Sequence, residues 1–191
     1  MKTFKIETPE MSYVIGFLWA DGYLKHNTIS VTLATKDFDS IYQIFSLTNN
    51  WNFSHRQKYL KKTNKYYDSS CIRISDKSLS KFLNENEFKN KSHISPIKIL
   101  SNIPQEFHKD FFRGYIDGDG SFVFTHNSNC SERCNFSITS TIEQDWSAIE
   151  KLFNDIDIKH YKIYKYIRKC GNSSLINISN KWDIIKLGNY I

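Results

Sequence analysis

The chain holds no apolar run long enough to cross a bilayer, and its start, Met1 to Glu7, lacks the apolar stretch of a secretory leader. A protein that is not exported and meets no membrane is expected. Cysteine is sparse and unevenly placed, at Cys71, Cys130, Cys134 and Cys170. A chain of this length needs no disulfide staples, so reduced thiols are expected. A zinc centre would need His126 beside Cys130, Cys134 and Cys170, and is not expected. Proline occurs three times, against many lysines and asparagines, and that bias carries no functional reading.

What is present suits one compact domain or two small fused ones: 191 residues, 40% hydrophobic and 24% charged. Lys and Arg total 26 against 20 Asp and Glu, a formal charge of +6. A polyanionic partner follows from that excess, with DNA or RNA first.

The most informative feature is an internal repeat. Val14-Ile15-Gly16-Phe17-Leu18-Trp19-Ala20-Asp21-Gly22 matches Phe112-Arg113-Gly114-Tyr115-Ile116-Asp117-Gly118-Asp119-Gly120, and the two final aspartates lie 98 positions apart. Two further matches follow in the same order. Ile29-Ser30-Val31-Thr32 resembles Phe136-Ser137-Ile138-Thr139, and Cys71-Ile72-Arg73-Ile74-Ser75-Asp76-Lys77 resembles Leu175-Ile176-Asn177-Ile178-Ser179-Asn180-Lys181. The chain therefore divides into a first half, 1–90, a bridge, 91–102, and a second half, 103–191.

Each half reads the same way. A helix begins near Pro9, with Thr8 as its cap, and stops at Asp21, where Gly22 is expected to be left-handed. A hairpin follows, its second strand alternating Ile29, Val31 and Leu33 with Ser30, Thr32 and Ala34. Then come a helix over Asp37 to Leu47, a hairpin of Phe53 to Tyr59 and Tyr67 to Ser75, and a helix from Asp76. The second half predicts a motif helix over Pro104 to Asp119 and strands near Ser121 to Thr125 and Cys134 to Ser140. A helix over Ile142 to Asn154, strands over Ile158 to Ile167 and Ser174 to Ser179, and a helix from Asn180 complete it.

Gly16 and Ala20 share one helix face, as do Gly114 and Gly118. A glycine inside a helix costs about 0.5–1 kcal/mol relative to alanine. Its use in both halves implies two backbones passing very closely, so the motif helices are expected to pack along these faces. Asp21 and Asp119 would then sit side by side at helix C-termini, where carboxylates repel and the helix dipole has the wrong sign. A divalent cation with hard oxygen ligands offsets both penalties, and Mg²⁺ suits the site. Asp117 has no counterpart, since Trp19 stands at that position, and is expected to be secondary.

The two nonapeptides resemble the LAGLIDADG motif of the homing endonucleases, and the order of hairpins and helices extends the resemblance over nearly the whole chain. The first copy departs at Trp19 and the second at Arg113 and Gly118. The resemblance implies an α+β fold, αββαββα used twice about a pseudo-twofold axis, with two antiparallel sheets forming a saddle over the DNA major groove. It implies a monomeric site-specific endonuclease that cuts both strands of a long, near-palindromic duplex with Mg²⁺ or Mn²⁺. By the same resemblance Asp21 and Asp119 hold the metal. Lys91 stands where family members carry a basic residue near the scissile phosphates. An intracellular setting, organellar, bacterial or phage, is expected.

Ser30, Thr32, Arg73 and Ser75 are the expected reading residues of the first sheet, with His55 and Gln57 beside them. Ser137, Thr139, Asn177 and Ser179 are those of the second. Lys61 and Lys62 in a hairpin turn, with Lys162 and Arg168 in the second half, suit phosphate contacts. A nucleic-acid binder that does not cut, such as a maturase-like RNA-splicing protein, is the competing reading. A plain structural protein built from a fused repeat is another.

Overall fold

A computed structural model describes residues 4–60, 64–126, 132–167 and 171–191. The first half runs α1 (Pro9–Asp21), β1 (Tyr23–Lys25), β2 (Thr28–Ala34), α2 (Phe38–Ser46), β3 (Asn52–Leu60), β4 (Lys65–Ser75) and α3 (Lys77–Glu85). Short helical turns follow, among them α4 (Ile97–Leu100). The second half is α5 (His108–Asp119), β5 (Gly120–His126), β6 (Glu132–Thr141), α6 (Ser147–Asp155), β7 (Tyr161–Tyr166), β8 (Ser173–Ile178) and α7 (Lys181–Tyr190). Two four-stranded antiparallel sheets result, ordered β1-β2-β4-β3 and β5-β6-β8-β7. The tandem α+β fold is therefore present.

Local chemistry explains several boundaries. Thr8 accepts the Met11 amide at 3.2 Å and Pro9 opens α1. The repeated Ser-Asp-Lys and Ser-Asn-Lys segments give matching caps. Asp76 accepts the amides of Ser78 and Leu79 at 2.7 and 2.9 Å, and Asn180 those of Trp182 and Asp183 at 2.9 and 3.2 Å. Period-two burial puts Ile29, Val31 and Leu33 of β2 into the core, with Phe136 and Ile138 of β6 in the equivalent places. Helix α1 is buried all round from Ser12 to Ala20, which suits a helix at the centre of the molecule.

Four expectations are corrected. Gly22 is extended, at φ −69° and ψ 149°, and not left-handed. Glycine is required there because a side chain would run into the Leu18 carbonyl that ends the helix. Helix α5 starts at His108, since Pro104 leads into a 3₁₀ turn over Gln105–Phe107. Helix α6 starts at Ser147 rather than Ile142, because β6 continues to Thr141. Its Ala148 amide is capped by the Ser95 hydroxyl at 2.9 Å, a partner far off in the sequence. Strand β7 starts at Tyr161, after left-handed Asp157 and fully buried Ile158.

Residues after α3 had no readable period, yet they pack closely. Phe88, Ile99, Leu100 and Ile103 enter the core. Gln144 donates to the Ile94 carbonyl at 2.9 Å, and the Asp145 amide donates to the His93 carbonyl at 3.1 Å. This fixes the segment that carries Lys91 against the second half.

Candidate metal and nucleic-acid site

Helices α1 and α5 cross at the glycines. A Cβ on Gly16 would overlap the Phe111 carbonyl oxygen, and one on Gly114 would overlap that of Tyr13. Phe111 is the repeat counterpart of Tyr13, so the two contacts are mirror images of each other. Lower down, Gly118 lies against the Ala20 side chain, leaving no room for a Cβ. Side chains close the seam at its edges. The Tyr13 hydroxyl donates to Asp117 Oδ2 at 2.7 Å, and the Arg113 guanidinium lies 5.6 Å from the Tyr13 ring centre. Asp117 is thus a partner of Tyr13 across the two helices.

The seam delivers Asp21 and Asp119 to a shared place. Loss of hydration and the neighbouring Asp21 charge push the Asp119 carboxyl up to about 6, against the opposing pull of Lys91. Asp21 is also raised by desolvation and held down in part by Lys91. Lys91 leaves the 3₁₀ turn Phe88–Asn90 with its ammonium 5.4 Å from the Phe88 ring centre. That ammonium donates to the Ala20 carbonyl at the end of α1. Burial lowers it to about 8, while Asp119 and Asp21 act the other way. Two carboxylates and one ammonium therefore feel one another's charge.

Asp21 also lines a cleft of about 460 Å³ with Thr32, Lys36, Asp37 and Asp117. Among the described residues no three His, Cys, Asp or Glu side chains converge as a closed metal cage. The donors fit an ion of the Mg²⁺ kind, which takes one or two carboxylates and draws its other ligands from phosphate oxygens and water.

Away from the helices, strand register decides which side chains share the outer sheet faces. In the first sheet one row runs Asn52, Arg73, Ser30 and Tyr23 across the four strands. In the second the equivalent row is Lys162, Asn177, Ser137 and Ser121. Thr32 and Ser75 share the first face, and Thr139 the second. Ser179 lies just past β8 and is exposed. His55 and Gln57 fall on the other side, opposite Ser70 and Asp68. His55 bonds Ser70 Oγ at 2.7 Å and packs edge-on to Phe38, so it serves the core edge. Arg56 and Asn52, which sequence reading did not single out, take the places expected of His55 and Gln57. Phe53 and Tyr59 alternate onto the same face as His55 and Gln57, and Phe53 packs on Phe38 and Tyr42, so the aromatic spacing was the signal that could have assigned it. Asn177 donates to the Phe136 carbonyl at 3.0 Å. Lys61, Lys62, Arg168, Cys130 and Cys170 lie outside the described residues. Cys134 is a free thiol.

Two αββαββα halves joined about a glycine seam define the class: the chain has the fold of the LAGLIDADG homing endonucleases. Among solved structures it is similar to the homing endonuclease I-WcaI bound to its DNA recognition sequence, with TM-score 0.66 and 17% identity. That match covers 98% of this chain and 82% of the other. It is similar to the N-terminal LAGLIDADG domain of DUF199/WhiA, with TM-score 0.59 and 18% identity, over 97% and 82% of the two chains. It also resembles a variant of I-DmoI in complex with its target DNA, in the presence of manganese, with TM-score 0.56 and 14% identity, over 96% and 93%. No protein-family model and no curated protein sequence matches the chain.

Proposed function

We propose that the chain is a double-stranded DNA endonuclease whose two halves share one metal-dependent cutting centre. The observation that carries this reading is the convergence of Asp21 and Asp119 at the glycine seam, with Lys91 packed within electrostatic reach of both. DNA-bound homing endonucleases of the same fold support the choice of substrate.

Asp21 and Asp119 would hold Mg²⁺, or Mn²⁺, and the ion when bound supplies a Lewis acid and an activated water. The residues of the chain do the rest. The small-residue seam keeps both carboxylates where a phosphate can approach. Lys91, tied to the Ala20 carbonyl, offers its proton-bearing ammonium to the charge that grows on the phosphoryl oxygens. Such placed charge in a partly dry site commonly contributes about 10²–10³ in rate. The outer sheet faces would lie along the major groove and position the duplex. The molecule would act as a monomer, since the duplication supplies both halves.

The test is a randomised duplex library incubated with the protein and MgCl₂, with sequencing of the ends produced. Cutting at a defined sequence, abolished by EDTA and by the D21N/D119N double variant, is the expected result. Cutting that survives the double variant would overturn the metal assignment. A protein that binds nucleic acid without cutting it, RNA included, would leave the library intact at every metal concentration.

A further inference from the structure

We infer that the two sheets read chemically different half-sites: the first by arginine hydrogen bonds to guanine, the second by apolar packing on thymine methyl groups. This rests on the DNA-binding reading above. The observation is a row-by-row comparison of the two outer faces, which strand register aligns without ambiguity.

The rows that hold Arg73 and its repeat equivalent Asn177 are both polar. One step along the strands, at Thr32 and Thr139, they diverge. The first face carries Ser54, Cys71 and Thr32, and the second Tyr164, Leu175 and Thr139. A further step pairs Arg56 and Ser69 against Tyr166 and Ser173. Tyr164 and Tyr166 stack with ring centres 6.2 Å apart, forming one apolar ridge. Val123 of β5 is 46% exposed but lies across the Ser137–Asn177 row from this ridge.

Base-edge chemistry turns this difference into sequence. A guanidinium fits the O6 and N7 acceptors of guanine in a two-bond fork, and the thymine methyl is the one apolar feature of the major groove. Arg73 and Arg56 project on alternate positions of neighbouring strands and are both exposed. Neither makes an ion pair among the described residues. On the second face Asn177, the equivalent of Arg73, spends a donor on the Phe136 carbonyl. Arg133 lies beyond the Ser137–Asn177 row, away from the ridge, so the Tyr164–Leu175 ridge dominates the part of the face aligned with Arg56. The target therefore departs from the near-palindrome that the family resemblance implies, being guanine-bearing under the first sheet and thymine-rich under the second.

The experiment selects bound duplexes from a randomised library, with EDTA present so that no cutting intervenes. Guanine enrichment confined to one half and thymine enrichment confined to the other are expected. In the selected duplex, replacing thymine by uracil removes only the methyl. It should weaken binding about fourfold per position in the thymine half and leave the other half unaffected. R73A and R56A should each erase one guanine preference, at a cost of about 5- to 100-fold on that base. Equal base preferences in both halves would overturn the inference, as would arginine variants that weaken all sequences alike. In either case the DNA-binding reading would stand. Absence of any enriched sequence and of any duplex binding would remove both.

Discussion

Gly16 and Gly114 sit where a methyl group meets main chain rather than the yielding end of a side chain. Backbone in a packed helix pair has little room to retreat. G16A is expected to lose about 3 kcal/mol of stability, the upper end of ordinary overpacking, measured by urea denaturation. Asp119 makes a different prediction. Its carboxyl rises from the model-peptide value of 3.8 to about 6 in the fold. The folded state thus holds a proton that the unfolded state has released, so metal-free stability falls as pH rises from about 4 to about 6. In EDTA at about pH 7.5, D119N should be more stable than the parent by on the order of 1–2 kcal/mol, and the gap should close near pH 4. Added MgCl₂ should stabilise the parent and not the variant. The seam and both aspartates were legible in the sequence because each occurs twice at the same spacing. The nearness of Lys91 to them had no pattern behind it. Its place depends on how the residues after α3 pack.

At the scale of elements, period-two alternation made β2, β6 and β8 readable, since each has one apolar face. The start of α6 was only partly readable: Asp145 accepts the Ser147 amide at 2.9 Å, whereas the Ala148 amide is met by Ser95, more than fifty positions away. Strand β7 and helix α7 are joined by a charged knot that sequence also conceals. Asp183 accepts the His160 amide at 3.0 Å and its ring Nδ1 at 2.9 Å, and Lys186 bridges to Asp157 at 2.8 Å. Desolvation works against the Asp183 carboxylate, yet the His160 hydrogen bonds and the Lys186 charge outweigh it, so its pKa falls below the ordinary range. A depressed carboxylate contributes stability above the ordinary carboxylate pKa and loses it as pH falls through the folded value. D183N should cost about 1–2 kcal/mol at neutral pH. Thermal melts of parent and variant should converge in strong acid, and a gap that persists there would show that packing, not charge, is responsible.

For the whole molecule, the excess of basic residues takes on a direction. On the outer faces of the described strands no acidic side chain appears, while Lys25, Arg56, Arg73, Arg133 and Lys162 do. These faces therefore carry positive charge without offsetting carboxylates, on the side on which a duplex would lie. Binding to a long duplex should weaken by at least about tenfold between 50 and 200 mM salt. Anisotropy titrations at several salt concentrations check this, and affinity that ignores salt would argue for a partner other than a polyanion. Composition could supply only the sign of the charge; its placement on these faces needed strand register.

The mirror-image packing at Gly16 and Gly114 has a historical corollary. Each lobe carries both the bump and the hollow of the joint, as identical chains related by a dyad must. On the DNA-binding reading proposed above, two separate copies would have to address the same bases twice. Tethering them into one polypeptide lifts that obligation while the joint itself stays fixed. Drift on either lobe can then rewrite half of the address without disturbing the hinge on which both lobes hang.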